Sequence, residues 1–147
     1  MSSEGEYDIS TDVRFPPLTL IDVEAEAAAH TPWFNETLTQ VGSSVVRLGV
    51  LEGDFHWHKH EEEDEFFFVV SGELLIDVEG RDEPVVLAPH QGFTVPRGVV
   101  HRTRAPARTT ILMVEPAGVV PPVPDRLEPV SRPAPASTLA LRPTWWA

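Results

Sequence analysis

Residues 43 to 80 read SSVVRLGVLEGDFHWHKHEEEDEFFFVVSGELLIDVEG, and the fold turns on this stretch. Apolar, β-branched and aromatic residues come in short runs, VVRLGVLE, EFFFVV and ELLIDVE, each stopping at a turn signal: Gly53, Ser71-Gly72 and Glu79-Gly80. Runs of this composition bounded by glycine read as strands. Downstream the pattern continues through PVVLA, FTV, VVHRTR and TTILMVE, with Pro96-Arg97-Gly98 and Ala105-Pro106 as further punctuation. Counting DFHWHKH as a strand too gives about eight strands in about 70 residues, which argues for a sandwich or barrel over alternating βα units. Eight strands suit a jelly roll. Phe66 to Val70 are apolar at successive positions, so both faces of that strand need cover, from a second sheet and from either the N-terminal segment or a partner subunit.

Outward from this block the composition changes on both sides. DVEAEAAAH, Asp22 to His30, has good helix formers in sequence and is stopped by Thr31-Pro32, which predicts one short helix. Residues 1–17 are acidic and polar and end in Pro16-Pro17, as expected of a flexible N-terminal arm. Seven of the 15 prolines lie between Pro121 and Pro143, too many for interior strands. The organisation expected is therefore an arm over 1–17, a β-barrel domain over 18–118 and an extended proline-rich tail over 119–147. That tail ends in Trp145-Trp146, aromatics suited to covering an apolar patch or reaching a second subunit.

Composition narrows the chemistry. The 147 residues include no cysteine, which excludes disulfides, thiolate zinc sites, iron–sulfur clusters and a cysteine nucleophile. Any metal must be held by nitrogen and oxygen. A net charge of −12 repels phosphate backbones, so nucleic acid is not an expected partner. MSSEGEYDIS opens the chain without a basic or long apolar segment, and no later run approaches the roughly 20 apolar residues of a membrane span. No membrane association and a cytoplasmic location are the expectations.

Within HWHKHEEEDE, residues 56–65, strand alternation would put His56, His58 and His60 on one face. Neutral imidazole is the commonest metal ligand. Glu61 to Asp64 form an acidic turn that returns Glu65 beside the histidines. Further on, Pro96-Arg97-Gly98-Val99-Val100-His101 reads as a type I turn, with Pro96 second and Gly98 fourth, followed by a strand whose Val99, His101 and Thr103 share a face. If that face lines the barrel, His58, His60, Glu65 and His101 form a site of three imidazoles and one carboxylate. One or two positions on the ion then stay open for water or substrate, as in a catalytic rather than a structural site. Glu65 and His101 are the candidates for catalytic contact.

Two patterns carry a family resemblance. His-x-His-x4-Glu-x6-Gly, filled by His58, His60, Glu65 and Gly72, resembles the first cupin motif, and Pro-x-Gly-x-x-His, filled by Pro96, Gly98 and His101, resembles the second. The likeness runs from about Trp33 to Pro116, including WFNETL and ILMVEP, and is nearest to small single-domain cupins likened to mannose-6-phosphate isomerases. It implies a double-stranded β-helix with these four polar residues as metal ligands, and a homodimer. Gly53 leaves four residues before His58 where the family pattern has five, His90 stands at the usual glycine of the second motif, and Ala105 at its usual asparagine.

The cofactor expected is one divalent transition-metal ion, whether iron, manganese, zinc, nickel or copper, since nitrogen and oxygen sites do not discriminate among these by ligand type alone. A pocket beside it would take a small-molecule substrate, with His56, Phe67, Phe93 and Arg97 as candidate contacts. His56 also reads as a solvated strand-end residue, His90 as a loop residue, and Arg102 and Arg104 as outward-facing charges. The function expected is a metal-dependent enzyme acting on a small oxygen-rich metabolite by isomerase, lyase or dioxygenase chemistry. The alternative is a non-catalytic cupin that binds a metal or metabolite as a sensor or accessory subunit.

Overall fold

A computed structural model describes residues 8–118; the proline-rich tail with Trp145-Trp146 and the first residues of the arm lie outside the described residues. The elements in chain order are β1 (Asp8–Ser10), α1 (Val23–Ala28), β2 (Phe34–Val41), β3 (Ser44–Asp54), β4 (Glu65–Ser71), β5 (Leu74–Val78), β6 (Val85–Leu87), β7 (Gly92–Val95) and β8 (His101–Pro116). The architecture is the all-β jelly roll expected, with α1 as the one short helix among the described residues.

β8 is the spine. It runs antiparallel to β3 along most of its length, from Ser44↔Pro116 to Asp54↔Arg104. On its other side it pairs with β5 at its start, Val78↔His101, and with β4 at its end, Phe66↔Val114. One strand thereby ties both halves of the roll together. The sequence reads as two runs here, VVHRTR and TTILMVE, because Pro106 interrupts them. The ladder with β3 skips from Leu51↔Thr109 to Gly53↔Ala105, so residues 106 to 108 bulge outward and exposed. A proline without an N–H is tolerated at such a bulge.

Two apolar clusters lie on opposite sides of the β2–β3 ladder. Leu51, Phe67, Val69, Leu74, Ile76, Ile111 and Met113 belong to the core inside the roll. Phe34, Leu38, Leu48 and Val50 face outward and are covered by Ala27 of α1, with Phe15, Ile21 and Val23. Strand alternation explains the division: Phe34, Glu36 and Leu38 look to the helix, whereas Asn35 and Thr37 look inward. Each large aliphatic or aromatic side chain so buried contributes roughly 1.5–3 kcal/mol.

The expected helix is present. Asp22 caps it, its Oδ1 accepting from the Ala25 amide at 3.0 Å, with Glu24 and Glu26 in the first turn. At the other end the Arg108 guanidinium donates to the Ala27 carbonyl at 2.8 Å, satisfying a terminal acceptor. Arg102 and Arg104 face outward, as alternation predicts, and both donate to Asp77 at 2.7 Å.

Three local expectations are corrected. The arm is not loose from Asp8 on: β1 adds a parallel strand to β2, and Phe15 packs on the outer cluster. DFHWHKH is not a strand; residues 55–60 are irregular apart from one isolated bridge, His58↔His101. The turn after β7 has Pro96 first, not second. The Val99 amide donates to the Pro96 carbonyl at 3.3 Å, and Gly98, third in the turn, has φ +76°. A positive φ at that position is type II geometry, which only glycine adopts without strain.

Candidate metal centre

His58 and His101 meet through their backbones. Each amide donates to the other's carbonyl at 2.9 Å, the hydrogen-bonded form of an antiparallel pair, in which directly opposed side chains share a face. That one bridge does the aligning that a continuous strand would have done, and it sets the two imidazole centroids 4.4 Å apart. The His60 carbonyl accepts from Gly98 at 2.7 Å. The Asp64 carboxylate accepts from the Arg97 amide at 2.9 Å. The acidic loop 61–64 is therefore pinned to the turn before β8, which carries His60 and the start of β4 toward His101.

Nδ1–H of His58 donates to the His56 carbonyl at 3.0 Å, and Nδ1–H of His101 to the Val99 carbonyl at 2.9 Å. These contacts assign the tautomers and leave each Nε2 lone pair facing the centre. Glu65 Oε1 stands 3.5 Å from Nε2 of both His60 and His101. Ligand atoms of His58, His60 and Glu65 all lie within 4.8 Å of one another. Two donors each about 2.1 Å from one ion stand about 3–4 Å apart, so the two 3.5 Å separations from Glu65 fit a shared cation.

Burial sharpens the point. His60 Nε2, His101 Nε2 and Glu65 Oε1 are buried without a hydrogen-bond partner. Orphaned buried polar atoms of this kind call for an ion or water, and here all are of ligand type. Burial, and then His101 close by, push the His58 imidazolium down to about 3, so its ring is neutral and available. Burial alone would raise Glu65, but contact with His101 and His60 outweighs it and keeps the carboxyl ionised. For His60 the same contest, burial against Glu65, ends with its pKa raised, so a proton competes with a cation for that nitrogen.

Behind the ligands lies a layer absent from the sequence reading. Glu115 pairs with Arg47 inside the roll, and Arg47 Nη1 donates to Thr37 Oγ1 at 2.8 Å. Burial, then the nearby charge of Glu65, push the Glu115 carboxyl up to about 7.

A small pocket open to solvent adjoins the centre, with His58 and Glu65 in its wall. The rest is largely apolar, from Trp33, Leu51, Phe55, Phe67, Ile111 and Met113, with Asn35 and Thr103 as its other polar residues. Of the four expected substrate contacts, only Phe67 lines this cavity. Phe93 lies opposite Phe67 in the ladder and packs on the inner core, with the Arg81 guanidinium 5.7 Å from its ring centre. His56 stacks on Phe55 at 4.2 Å, and Arg97 is exposed in the turn. Strand alternation points to Thr103; Trp33 and Asn35 stand in WFNETL, which carries part of the family likeness, but no pattern assigns them or Phe55 to a pocket, because they come from segments on either side of β3 that only the closed roll brings together.

Comparison with known proteins agrees with this geometry. Residues 44–115 match the cupin domain family, Cupin_2. A protein of Bacillus subtilis (strain 168), the uncharacterized protein YdbB, is 43% identical over 81 residues, spanning 55% of this chain and 71% of that one. Among solved structures, a cupin-2 domain containing protein from Shewanella frigidimarina superposes with a TM-score of 0.62 at 28% identity, over 66% of this chain and 94% of that one. The fold is shared too by a hydroquinone 1,2-dioxygenase, solved with Cd2+ and 4-hydroxybenzonitrile, at TM-score 0.57 and 20% identity over 66% and 72% of the two chains.

Proposed function

Because this chain belongs to the cupin family, we propose that it is a metal-dependent enzyme acting on a small organic molecule, with one divalent transition-metal ion held by His58, His60, Glu65 and His101. The observation that carries the reading is the convergence of buried, partnerless Nε2 and Oε1 atoms at the wall of a cavity open to solvent. Three neutral imidazoles and one carboxylate leave a divalent ion with a net charge of about +1, able to polarise a carbonyl, acidify water or stabilise an enolate-type anion.

The residues of the chain have separate tasks. The backbone bridge between His58 and His101 fixes two rings before any guest enters, so binding does not have to order them. The aromatic and aliphatic walls exclude water around a guest and strengthen its electrostatic contacts. Glu65 and His101 are the groups nearest the reacting atoms in this reading. The fold is compatible with dioxygenase chemistry, which the hydroquinone dioxygenase carries on the same scaffold, and with isomerase or lyase chemistry. A homodimer is part of the proposal: Phe66, Phe68 and Val70 on the outer face of β4 are only half-buried, a suitable surface for a second copy.

Metal content of protein purified without an affinity tag, compared with His58→Ala and His101→Ala, tests the site. One equivalent in wild type and a large loss in both variants is expected; full retention in both would contradict the reading. Catalysis is tested by consumption of a broad pool of small metabolites, with wild type active and Glu65→Ala inactive.

A further inference from the structure

The cavity has a polar feature that the metal reading leaves unused. Asn35, on β2 opposite Gly49, is 4% exposed and lines the cavity. Its Oδ1 has no hydrogen-bond donor among the described residues. A buried acceptor left unmatched keeps the whole cost of its desolvation, so a guest that brings an N–H or O–H to this point gains more than one that does not.

The surroundings limit what kind of guest that is. The Trp33 and Phe55 rings lie 5.3 Å apart at a 36° tilt, Phe67 adds a third aromatic wall, and Ile111 and Met113 close another side. Gly49 makes room for the last two: a Cβ at that position would stand 2.9 Å from Ile111 Cγ1 and 3.2 Å from Met113 Cε. Away from the ligand set, the polar side-chain groups of the lining are those of Asn35 and Thr103 and the indole N–H of Trp33. A polyol would bury more hydroxyls against carbon here than these few groups can partner.

We infer that the natural ligand of this site is a compact, planar, mainly apolar molecule of the phenol or nitrogen-heterocycle kind, with an oxygen donor directed at the ion and an N–H or O–H donated to Asn35 Oδ1. This rests on the metal reading above and narrows the oxygen-rich metabolite expected from sequence. Asn35 is thereby a specificity-determining residue, and discrimination arises because a molecule without the donor leaves the amide oxygen unmatched.

The test uses untagged full-length protein loaded with Co2+, whose visible spectrum reports its ligands. Catechol, gluconate and azide are the probes, measured on wild type, Asn35→Leu and Asn35→Asp. Catechol is expected to bind wild type at least tenfold tighter than gluconate. Asn35→Leu is expected to weaken catechol about tenfold, and Asn35→Asp, which keeps an acceptor, to retain it. Azide, an anion with no N–H or O–H to donate to Asn35, keeps its wild-type affinity in both variants, which shows that the metal centre is intact. Gluconate binding as tightly as catechol, or Asn35→Leu with unchanged catechol affinity beside normal azide binding, overturns this inference alone. Failure of wild type to take up cobalt, or of azide to alter its spectrum, overturns the metal reading and this inference with it. Should Asn35→Leu not fold, the wild-type ranking of catechol against gluconate still decides.

Discussion

Two clusters of histidine and glutamate lie among the described residues, and they are built from nearly the same parts. Inside the roll are His58, His60 and Glu65 with His101; on the outer side, between α1 and β2, are Glu26, His30 and Glu36, whose ligand-type atoms also lie within 4.8 Å of one another. What separates them is where the positive charge comes from. In the outer cluster the chain supplies it: the Arg14 guanidinium donates to Glu26 at 3.3 Å and stands 3.6 Å from Glu36. His30 there is stacked flat on Phe34, with ring centres 3.6 Å apart. In the inner cluster no lysine or arginine makes an ion pair with Glu65 among the described residues, and the imidazole nitrogens facing it lack hydrogen-bond partners. Residue types alone do not make a metal site; the remaining demand for a cation does.

The sharpest break in the comparison is to remove a ligand from each cluster. His101→Ala is expected to lower zinc or cobalt affinity by about a hundredfold or more, since even loss of a residue supporting a ligand costs 10–100-fold. His30→Ala is expected to leave affinity and stoichiometry unchanged, as measured by titration against a competing chelator. Equal effects would erase the distinction.

The next effect is on pH. A metal at the inner site displaces the proton that Glu65 favours on His60, whose pKa is raised above 6.5. Below that pKa affinity should fall as pH falls, by up to about tenfold per unit for one displaced proton, and it should level off above. A flat profile from pH 6 to 8 would mean that His60 does not bind the ion.

Arg14→Ala removes the outer cluster's own cation. The guanidinium is more than half exposed, so the loss in stability should be about 0.5 kcal/mol or less. A second equivalent of tightly bound metal in this variant would show that the outer cluster is an ion site held closed by Arg14.

Smallest is the titration of Glu36. Burial, then Glu26 beside it, raise its carboxyl to about 7 from an ordinary 4.5. The protonated form is favoured in the folded state, so this contribution is fully present below pH 4.5 and is lost as pH rises through 7. Between those limits the melting temperature of wild type should fall more than that of Glu36→Gln, as calorimetry at matched pH would show.

How far these features could be read from the sequence depended on whether a local pattern carried them. Strands β3 to β7 follow their apolar runs and glycines, and the four ligands of the proposed site stand in two spaced motifs. Helix α1 follows its alanines and the Asp22 cap. β2 was not legible: Asn35, Glu36 and Thr37 are polar yet buried, because they meet the cavity, Arg14 and Arg47 rather than solvent. The alternation His56, His58, His60 imitated a strand, where a single bridged pair does the aligning. Arg47 and Glu115 are buried as partners inside the roll, a pairing of residues far apart in sequence that no periodicity announces. The cavity's specificity residue is illegible for the same reason.

In the proposed inner site three imidazoles and a carboxylate share one ion, which X-ray absorption at the metal edge of the cobalt- or zinc-loaded protein would reveal. A nitrogen and oxygen shell at about 2.0–2.2 Å with outer-shell scattering from three imidazoles is expected, falling to two imidazoles in His101→Ala. A shell with no more than one imidazole, or a spectrum unaltered in that variant, would contradict it.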